Sequence, residues 1–223
     1  MANLTLVVGN KNYSSWSLRP WLAIREAGIA FEEIVIPLYR AESKAALLRH
    51  SPAGKVPVLR HGERVVWDSL AIIEYLAETL PAAGLWPEDP AARALARSVS
   101  AEMHAGFAAL RGAMSMNLRD QPPRPERSGA VSADIERVSA IWRDCRARFG
   151  DGGPFLFGAF SAADAMYAPV ATRFRTYRVG LDPISQAYAD AVLALPSFRE
   201  GEAAALQEPW VITKYSNPAA SNT

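Results

Sequence analysis

The chain has 223 residues, with 24 lysine and arginine side chains against 23 aspartate and glutamate, giving a net charge of +1. Half of its residues are hydrophobic, which excludes intrinsic disorder, and the small net charge argues against a nucleic-acid partner bound by phosphate neutralisation. The single cysteine, Cys145, excludes an intramolecular disulfide. Without a membrane-length apolar run or a secretory signal pattern, we expect a cytoplasmic protein with no membrane partner.

The first eighty residues alternate between strand and helix patterns. Seven elements are predicted in the order β-α-β-α-β-β-α, with strands at 4–8, 31–38, 56–60 and 64–67 and helices at 17–27, 43–50 and 69–80. The opening βαβ unit implies parallel strands joined by a right-handed crossover. His61-Gly62 is typical of a hairpin turn between the last two strands. We expect a small α/β domain over residues 1–81.

Residues 82–90 are rich in proline and glycine and predict a linker, beyond which the strand signal disappears. Asp89-Pro90 opens one long helix, because Asp is a good N-cap and Pro suits the first helical position. Its predicted apolar face contains Leu95, Val99, Met103, Phe107, Leu110 and Met114. More helices are predicted at 135–149, 161–178, 184–195 and from 196 onward, so we expect an all-helical domain over 91–215 and a frayed tail over 216–223.

A cluster of hydroxyl side chains precedes the first predicted helix. Ser14, Ser15 and Ser17 fit two interpretations. Serine is a good N-cap, so the cluster suits the start of a helix for structural reasons alone. Free backbone N–H groups and the helix dipole also stabilise negative charge at such a place, which makes it a candidate anion site.

Two further segments are candidates for binding a peptide or an amino acid. Pro57 cannot donate to a strand ladder, so Val56 either lies at an edge where a bound peptide can pair with its backbone or belongs to an ordinary turn. A cis Val56–Pro57 bond suits this place. Asp68 and Ser69 start the next helix, and they are either caps or a pair that holds the ammonium and carboxylate of an amino-acid end.

The remaining polar features favour structural roles. Ser161 and Asp164 have the spacing of a capping box. The three histidines lack metal-ligand spacing, and no glycine-rich nucleotide motif occurs, so neither a metal nor a nucleotide is expected. Arg173, Arg175 and Arg178 predict a solvated basic face at a helix end, and a clamp for a dicarboxylate is the alternative.

In their order, four motifs together resemble glutathione transferases. These are Ser-Ser-x-Ser-x-Arg, Ser-Pro-x-Gly-Lys-Val-Pro-Val-Leu, Asp-Ser-x-Ala-Ile-x-x-Tyr-Leu and Ser-x-x-Asp. The resemblance covers nearly the whole chain and is to serine-type, bacterial-like members, distantly similar to the zeta class. It implies a thioredoxin-like N-terminal domain, an all-α C-terminal domain, a homodimer, and glutathione as co-substrate without a metal.

The resemblance also implies roles for individual residues. Val56, before a cis Pro57, pairs with the cysteinyl part of glutathione, and Asp68 and Ser69 bind its γ-glutamyl end. A hydroxyl faces the sulfur, which points to Ser14 first and Ser15 next, with Tyr13 as the adjacent alternative. The other residues expected to bind glutathione are Lys44, Lys55 and Trp16, with a lysine meeting the glycyl carboxylate. Trp16 stands where zeta members carry cysteine, which counts against maleylacetoacetate isomerase activity.

A serine-type site has enough free energy available to ionise the thiol. A free thiol has a pKa of about 8.5, and lowering it by about two units requires about 2.7 kcal/mol. One charge-assisted hydrogen bond supplies about 1.5–3 kcal/mol and a helix N-terminus about 0.3–1 kcal/mol. No general base is therefore required.

The predicted activity is conjugation of the thiolate to a small, largely apolar electrophile, in a detoxification role. The pocket for that electrophile is expected to contain Tyr13, His104, Phe107 and Arg111. A glutathione-dependent isomerase or dehalogenase is the alternative within the family. A transferase-like fold that only binds partners or regulates them is the alternative from another class.

Overall fold

The computed structural model describes residues 4–120 and 128–216. Its N-terminal domain is a mixed sheet of four strands with three helices, the thioredoxin-like arrangement. The elements are β1 (Leu4–Val8), α1 (Ser15–Glu26), β2 (Glu32–Val35), α2 (Ser43–Leu48), β3 (Val58–His61), β4 (Arg64–Trp67) and α3 (Ser69–Thr79). The sheet order is β2-β1-β3-β4, and only β1 and β2 are parallel. The predicted element order is confirmed.

Both faces of the sheet are covered, because the side chains of β1 alternate between two clusters. Leu4, Leu6 and Val8 are buried in the large core with residues of α1 and α3. Val7 points the other way and packs with Ile36, Leu47 and Val58, against α2. This period of two is what a strand produces when both of its faces are buried.

Helices are the regular elements of the C-terminal domain within its described residues, and isolated bridges occur near residue 155. Its helices are α4 (Pro90–Ala105), α5 (Ala108–Ala113), α6 (Gly129–Phe149), α7 (Ala162–Thr176), α8 (Pro183–Ala194), α9 (Pro196–Gln207) and α10 (Thr213–Ser216). Every residue of α7 except Arg175 is buried, so α7 is the central helix. No helix in the described part of the chain is long and apolar enough to cross a membrane.

Asp164 fixes the start of α7. Its carboxylate accepts hydrogen bonds from the backbone N–H of Leu156 (3.0 Å) and from the N–H and the hydroxyl of Ser161 (2.8 and 2.9 Å). Burial raises the pKa of Asp164 to about 6, although these hydrogen bonds favour the charged form. The predicted structural role of the Ser161–Asp164 pair agrees with this geometry.

The predicted single helix after Asp89 is wrong, because the chain breaks between α4 and α5. Gly106 is extended and Phe107 has a left-handed φ of 58°. The break keeps Phe107 and Leu110 buried while turning α5 away from the axis of α4, and the backbone N–H of Leu110 is satisfied by Asp134 (2.9 Å). Buried spacing alone does not distinguish a broken helix from a continuous one.

Several predicted boundaries also move. α1 begins at Ser15 rather than 17, because Ser14 is its N-cap, and β2 is limited to Glu32–Val35. α2 begins at Ser43, and its N-cap residue Glu42 makes no side-chain capping hydrogen bond. Ser216, predicted in the frayed tail, is the last residue of α10, whereas residues 217–223 of that predicted tail lie outside the described residues.

The two domains pack along α1 and α7, and polar bonds cross between them. The Arg19 Nε donates to the carbonyl of Met166 (3.2 Å), and an Nη of Arg173 donates to the hydroxyl of Ser15 (3.1 Å). Glu208 accepts from the backbone N–H of Lys11 (2.7 Å). The first turn of α1 is therefore held by groups from both domains.

Candidate functional site

Two adjoining clefts lie where the N-terminal domain meets the helices. The first cleft has a volume of about 610 Å³ and is lined by Trp16, Ala53, Lys55, Val56, Pro57, Trp67, Asp68, Ser69 and His104. The second cleft has a volume of about 290 Å³ and is lined by Tyr13, Ser14, Ser15, Trp16, Leu38, Tyr39, Arg111, Ser115, Met116, Arg173, Ile212 and Tyr215. Trp16 lines both, so it is the wall that they share.

One side of the first cleft is backbone. The Val56–Pro57 peptide bond is cis. Val56 lies outside the sheet, because the ladder of β3 begins at Val58. Val56 is not at a sheet edge as one interpretation of the sequence had it, because β3 lies between β1 and β4 and Val56 precedes the first paired residue of this central strand. Its peptide group is outside the ladder and Val56 lines the first cleft, so an extended ligand there can pair with the main chain.

The start of α3 supplies the opposite side of the first cleft. Asp68 has a positive φ of 78°, and its Oδ1 caps the helix by accepting from the N–H groups of Leu70 (2.9 Å) and Ala71 (3.4 Å). Its Oδ2 lies 3.2 Å from the Nε2 of His104. The hydroxyl of Ser69 is buried and has no hydrogen-bond partner in the described chain. A buried unpaired hydroxyl on a cleft wall is unusual unless a ligand completes it.

The start of α1 places two hydroxyls on the second cleft, beside Trp16. Ser14 Oγ lies 2.8 Å from Ser17 Oγ, and the N–H of Gly9 donates to Ser17 Oγ (3.0 Å). When Ser17 donates its own hydrogen to Ser14, the hydrogen of Ser14 is left for a ligand. Ser15 accepts from Arg173 (3.1 Å), so its hydrogen is also available. The Tyr13 hydroxyl instead pairs with Ser216 of α10 (2.9 Å).

Cationic groups surround Trp16. The guanidinium groups of Arg19 and Arg111 lie 4.2 and 5.2 Å from the centre of its indole ring, and the ring of His104 meets it edge-on at 5.3 Å. Burial and the neighbouring Arg173 lower the pKa of Arg19 to about 9, and burial and Arg111 lower that of Arg173 to about 10. Both pKa values remain above 7, so both arginines carry positive charge at neutral pH.

The structure brings together most of the residues predicted to bind glutathione, but not all of them. Eight of the nine residues predicted to bind glutathione or its sulfur line the first cleft or the adjoining start of α1. These are Ser14, Ser15, Trp16, Lys55, Val56, Asp68 and Ser69, together with Pro57. Lys44 lines neither cleft, and its ammonium approaches Gly54 instead.

The predicted electrophile pocket needs two corrections. Tyr13 and Arg111 line the second cleft, but His104 lines the first one, opposite Asp68. Phe107 is buried in the core and lines neither cleft. Both differences follow from the break after α4, because a continuous helix would have presented these side chains on one face.

Arg173 is the main residue that sequence reasoning misplaced. Its side chain was expected on a solvated face but is only 4% exposed, whereas Arg175 lies at the surface and pairs with Glu202. The burial of Arg173 was indicated by the sequence around it, because the rest of α7 is almost entirely small or apolar. Tyr39, Ser115, Met116, Ile212 and Tyr215 were also missed, because nothing in their local patterns indicates a shared cleft. No cluster of metal-ligating side chains occurs within residues 4–120 and 128–216.

Comparison with known proteins assigns the family. The model for the glutathione S-transferase N-terminal domain matches residues 13–79, and that for the C-terminal domain matches residues 128–194. The chain therefore belongs to the glutathione S-transferase family, as the motifs predicted.

Relatives and a solved structure agree with this assignment. A probable maleylacetoacetate isomerase from Caenorhabditis elegans is 40% identical over 93 residues, which span only 42% of its length and 42% of this chain. A maleylacetoacetate isomerase from Pseudomonas aeruginosa is 30% identical over 207 residues, covering 87% of this chain and 93% of its own. A glutathione transferase homologue from Burkholderia, solved with bound glutathione, shares the fold with a TM-score of 0.67 and 22% identity, over 91% of this chain and 97% of its own.

Proposed function

We propose that the protein is a glutathione transferase, which binds glutathione in the first cleft and joins it through its sulfur to an electrophile in the second cleft. The observation that carries the proposal is the buried hydroxyl of Ser69, which has no hydrogen-bond partner among the described residues and lines one cleft with Asp68 and Val56. A tripeptide with a free amino-acid end satisfies all three groups. The solved homologue with bound glutathione supports this interpretation.

Each end of glutathione has a matching group in the first cleft. Ser69 and the N-terminus of α3 bind the γ-glutamyl carboxylate, because both supply donors to an anion. Oδ2 of Asp68, which does not cap the helix, attracts the γ-glutamyl ammonium. The backbone of Val56 pairs with the cysteinyl residue, and Lys55 meets the glycyl carboxylate. Lys44 does not line the cleft, although its ammonium approaches Gly54, between the lining residues Ala53 and Lys55.

The sulfur then lies at Trp16, near the first turn of α1. Ser14 and Ser15 each have a hydrogen to donate, and the N-terminus of α1 favours an anion. The thiol proton leaves to solvent. The thiolate forms the new carbon–sulfur bond while the leaving group departs with its bonding electron pair. Following the family, we propose that the protein acts as a cytoplasmic homodimer in detoxification.

A glutathione-dependent isomerase is a second candidate, favoured by the names of the relatives and by the buried Arg173 in the second cleft. Trp16, which replaces a cysteine of zeta members, counts against it. Isomerisation returns glutathione unchanged, whereas transfer consumes one glutathione per product. Depletion of glutathione during turnover therefore distinguishes the two candidates.

Replacement of Ser69 tests the proposed site. Ser69→Ala is expected to weaken glutathione binding by about tenfold or more, because a hydrogen bond to a charged group contributes about 1.5–3 kcal/mol. The variant should fold normally, since the hydroxyl has no protein partner to lose. Isothermal titration calorimetry with glutathione measures the dissociation constant.

Ser100→Ala is the matched control. Ser100 also has a buried hydroxyl without a partner, but it lies in α4 and lines neither cleft. Its dissociation constant should equal that of the wild type. Failure of the wild-type protein to bind glutathione would contradict the transferase proposal and favour a fold used only for binding. Equal affinities for the wild type and Ser69→Ala would show that the γ-glutamyl end is bound elsewhere.

A further inference from the structure

Among its described lining residues, the second cleft has positive charge and no negative charge. Arg111 and Arg173 line it, and no aspartate or glutamate of residues 4–120 and 128–216 does. Arg173 donates to the carbonyls of Met114 (2.7 Å) and Pro169 (3.0 Å) and to the hydroxyl of Ser15 (3.1 Å), all of which are neutral. No residue of the described chain forms an ion pair with either arginine.

A third guanidinium lies behind the wall of this cleft. Arg19 is fully buried and stacks on Trp16 at 4.2 Å, and its Nη1 has no hydrogen-bond partner in the described chain. Buried charges are normally paired, since removing an ion from water is costly. Asp68 of the first cleft acts electrostatically on Arg19, but no described aspartate or glutamate lines the second cleft beside Arg111 and Arg173. Three neighbouring cations, two of them fully buried, therefore indicate that an anion from outside the chain belongs among them.

Arg111 is the group best placed to receive that anion. Its side chain is half-buried, and its one hydrogen bond to the described residues is a 3.3 Å contact from Nη1 to the carbonyl of His104. The rest of its planar fork is free to bind a carboxylate through two parallel bonds. Tyr13, Leu38, Met116 and Ile212 supply apolar walls to the same cleft. The matching molecule has an apolar body and one anionic end.

We propose that the second cleft recognises its electrophile through a carboxylate held by Arg111, with Arg173 behind it, so that the acceptor substrates are organic anions. The acceptor therefore has a charged end, whereas the sequence predicted a largely apolar one. The inference rests on the proposed function for its chemistry, because glutathione supplies the nucleophile. The binding of the carboxylate itself does not depend on glutathione.

A matched pair of electrophiles tests the proposal. 4-Chloro-3-nitrobenzoate and 4-chloro-3-nitrobenzamide have the same reacting carbon and nearly the same shape, but only the first is an anion. In both, the thiolate attacks the carbon that bears chlorine, the carbon–sulfur bond forms, and chloride leaves with the electrons of the carbon–chlorine bond. The ratio of their kcat/KM values, each relative to the uncatalysed rate, measures the preference for the carboxylate.

The wild-type enzyme should prefer the acid. Arg111→Gln should lower the acid-to-amide ratio of kcat/KM by about tenfold or more, because one charge-assisted hydrogen bond is lost. Arg148→Gln is the control, since it removes the same charge from α6, where Arg148 pairs only with Asp144 at the surface. Its ratio should match the wild type. An unchanged ratio in Arg111→Gln, or a wild-type preference for the amide, would overturn the proposal.

Direct binding separates this inference from the proposed function. 3-Nitrobenzoate, which has no leaving group, should bind the wild-type protein more tightly than 3-nitrobenzamide in calorimetry, both with and without saturating glutathione. Binding of 3-nitrobenzoate without any binding of glutathione would uphold the anion site and contradict the transferase. Competition between 3-nitrobenzoate and glutathione would mean that the arginines serve glutathione itself, which would overturn the inference while leaving the transferase intact.

Discussion

Ser14 and Ser15 are adjacent at the first turn of α1, yet their oxygens are held by different groups. Ser14 is the N-cap and shares a hydrogen bond with Ser17, whereas Ser15 accepts from the guanidinium of Arg173. A hydroxyl that accepts from a cation becomes a stronger donor, since hydrogen bonds in a chain polarise one another. Ser15 therefore competes with Ser14 for the role of thiolate donor, although the motif alone placed Ser14 first.

We predict that removing the serine hydroxyl that donates to the sulfur, on Ser14 or Ser15, raises the pKa of the bound glutathione thiol by about one to two units. The reason is that about 1.5–3 kcal/mol of anion stabilisation is lost. Ser14→Ala and Ser15→Ala are compared by titrating the ultraviolet absorbance of the thiolate in each glutathione complex. Ser98→Ala is the control, since its exposed hydroxyl bonds only within α4. An unchanged thiol pKa in both serine variants would mean that neither serine ionises the sulfur.

Single residues also show what sequence can and cannot predict about the site. The places of Asp68, Ser69 and Val56 on the first cleft were predictable because each belongs to a motif whose backbone geometry is local: a helix start or the turn before a strand. For Arg173 the surrounding small and apolar residues indicate a buried helix, but they do not show that the start of α1 covers its side chain. A local pattern reports the face of a helix, and it carries no information about which distant element covers that face.

At the scale of elements, α7 depends on the carboxylate of Asp164. Burial raises its pKa to about 6, above the ordinary value of 3.8. The folded state therefore binds a proton more tightly than the unfolded chain. The stabilisation from this proton is fully present below about pH 4 and is lost as the pH rises through about 6. The difference between the two pKa values corresponds to about 3 kcal/mol.

We predict that Asp164→Asn makes the free energy of unfolding less dependent on pH between about 4 and 7, because the variant has no proton to release. The variant should also be less stable by about 1–3 kcal/mol, since the amide cannot accept every bond from Ser161 and Leu156. Urea unfolding at several pH values measures both effects. Wild type and variant with parallel pH profiles would show that Asp164 does not titrate in this range.

The break between α4 and α5 was not predicted from the sequence, and the arrangement of the two clefts depends on it. The buried spacing of Met103, Phe107 and Leu110 is the same for a straight helix and for a broken one. The left-handed Phe107 breaks the helix. His104, before the break, lines the first cleft, and Arg111, after it, lines the second. Non-glycine residues rarely adopt this conformation, so the sequence gives no warning of it.

At the scale of the whole molecule, both clefts depend on the contact between domains. The first cleft needs His104 of α4 opposite the start of α3, and the second joins the start of α1 to α5, α7 and the segment around α10. The order of elements and most of the residues that line the first cleft were predictable, because most of them lie within one domain. The second cleft was not, because its walls come from segments that are far apart in the chain.

The position of the glutathione sulfur tests the account most directly. A crystal structure of the protein soaked with glutathione is predicted to place the sulfur within hydrogen-bond distance of the hydroxyl of Ser14 or Ser15, with the γ-glutamyl carboxylate at Ser69. A sulfur remote from residues 13–17, or a tripeptide bound outside the first cleft, would contradict it.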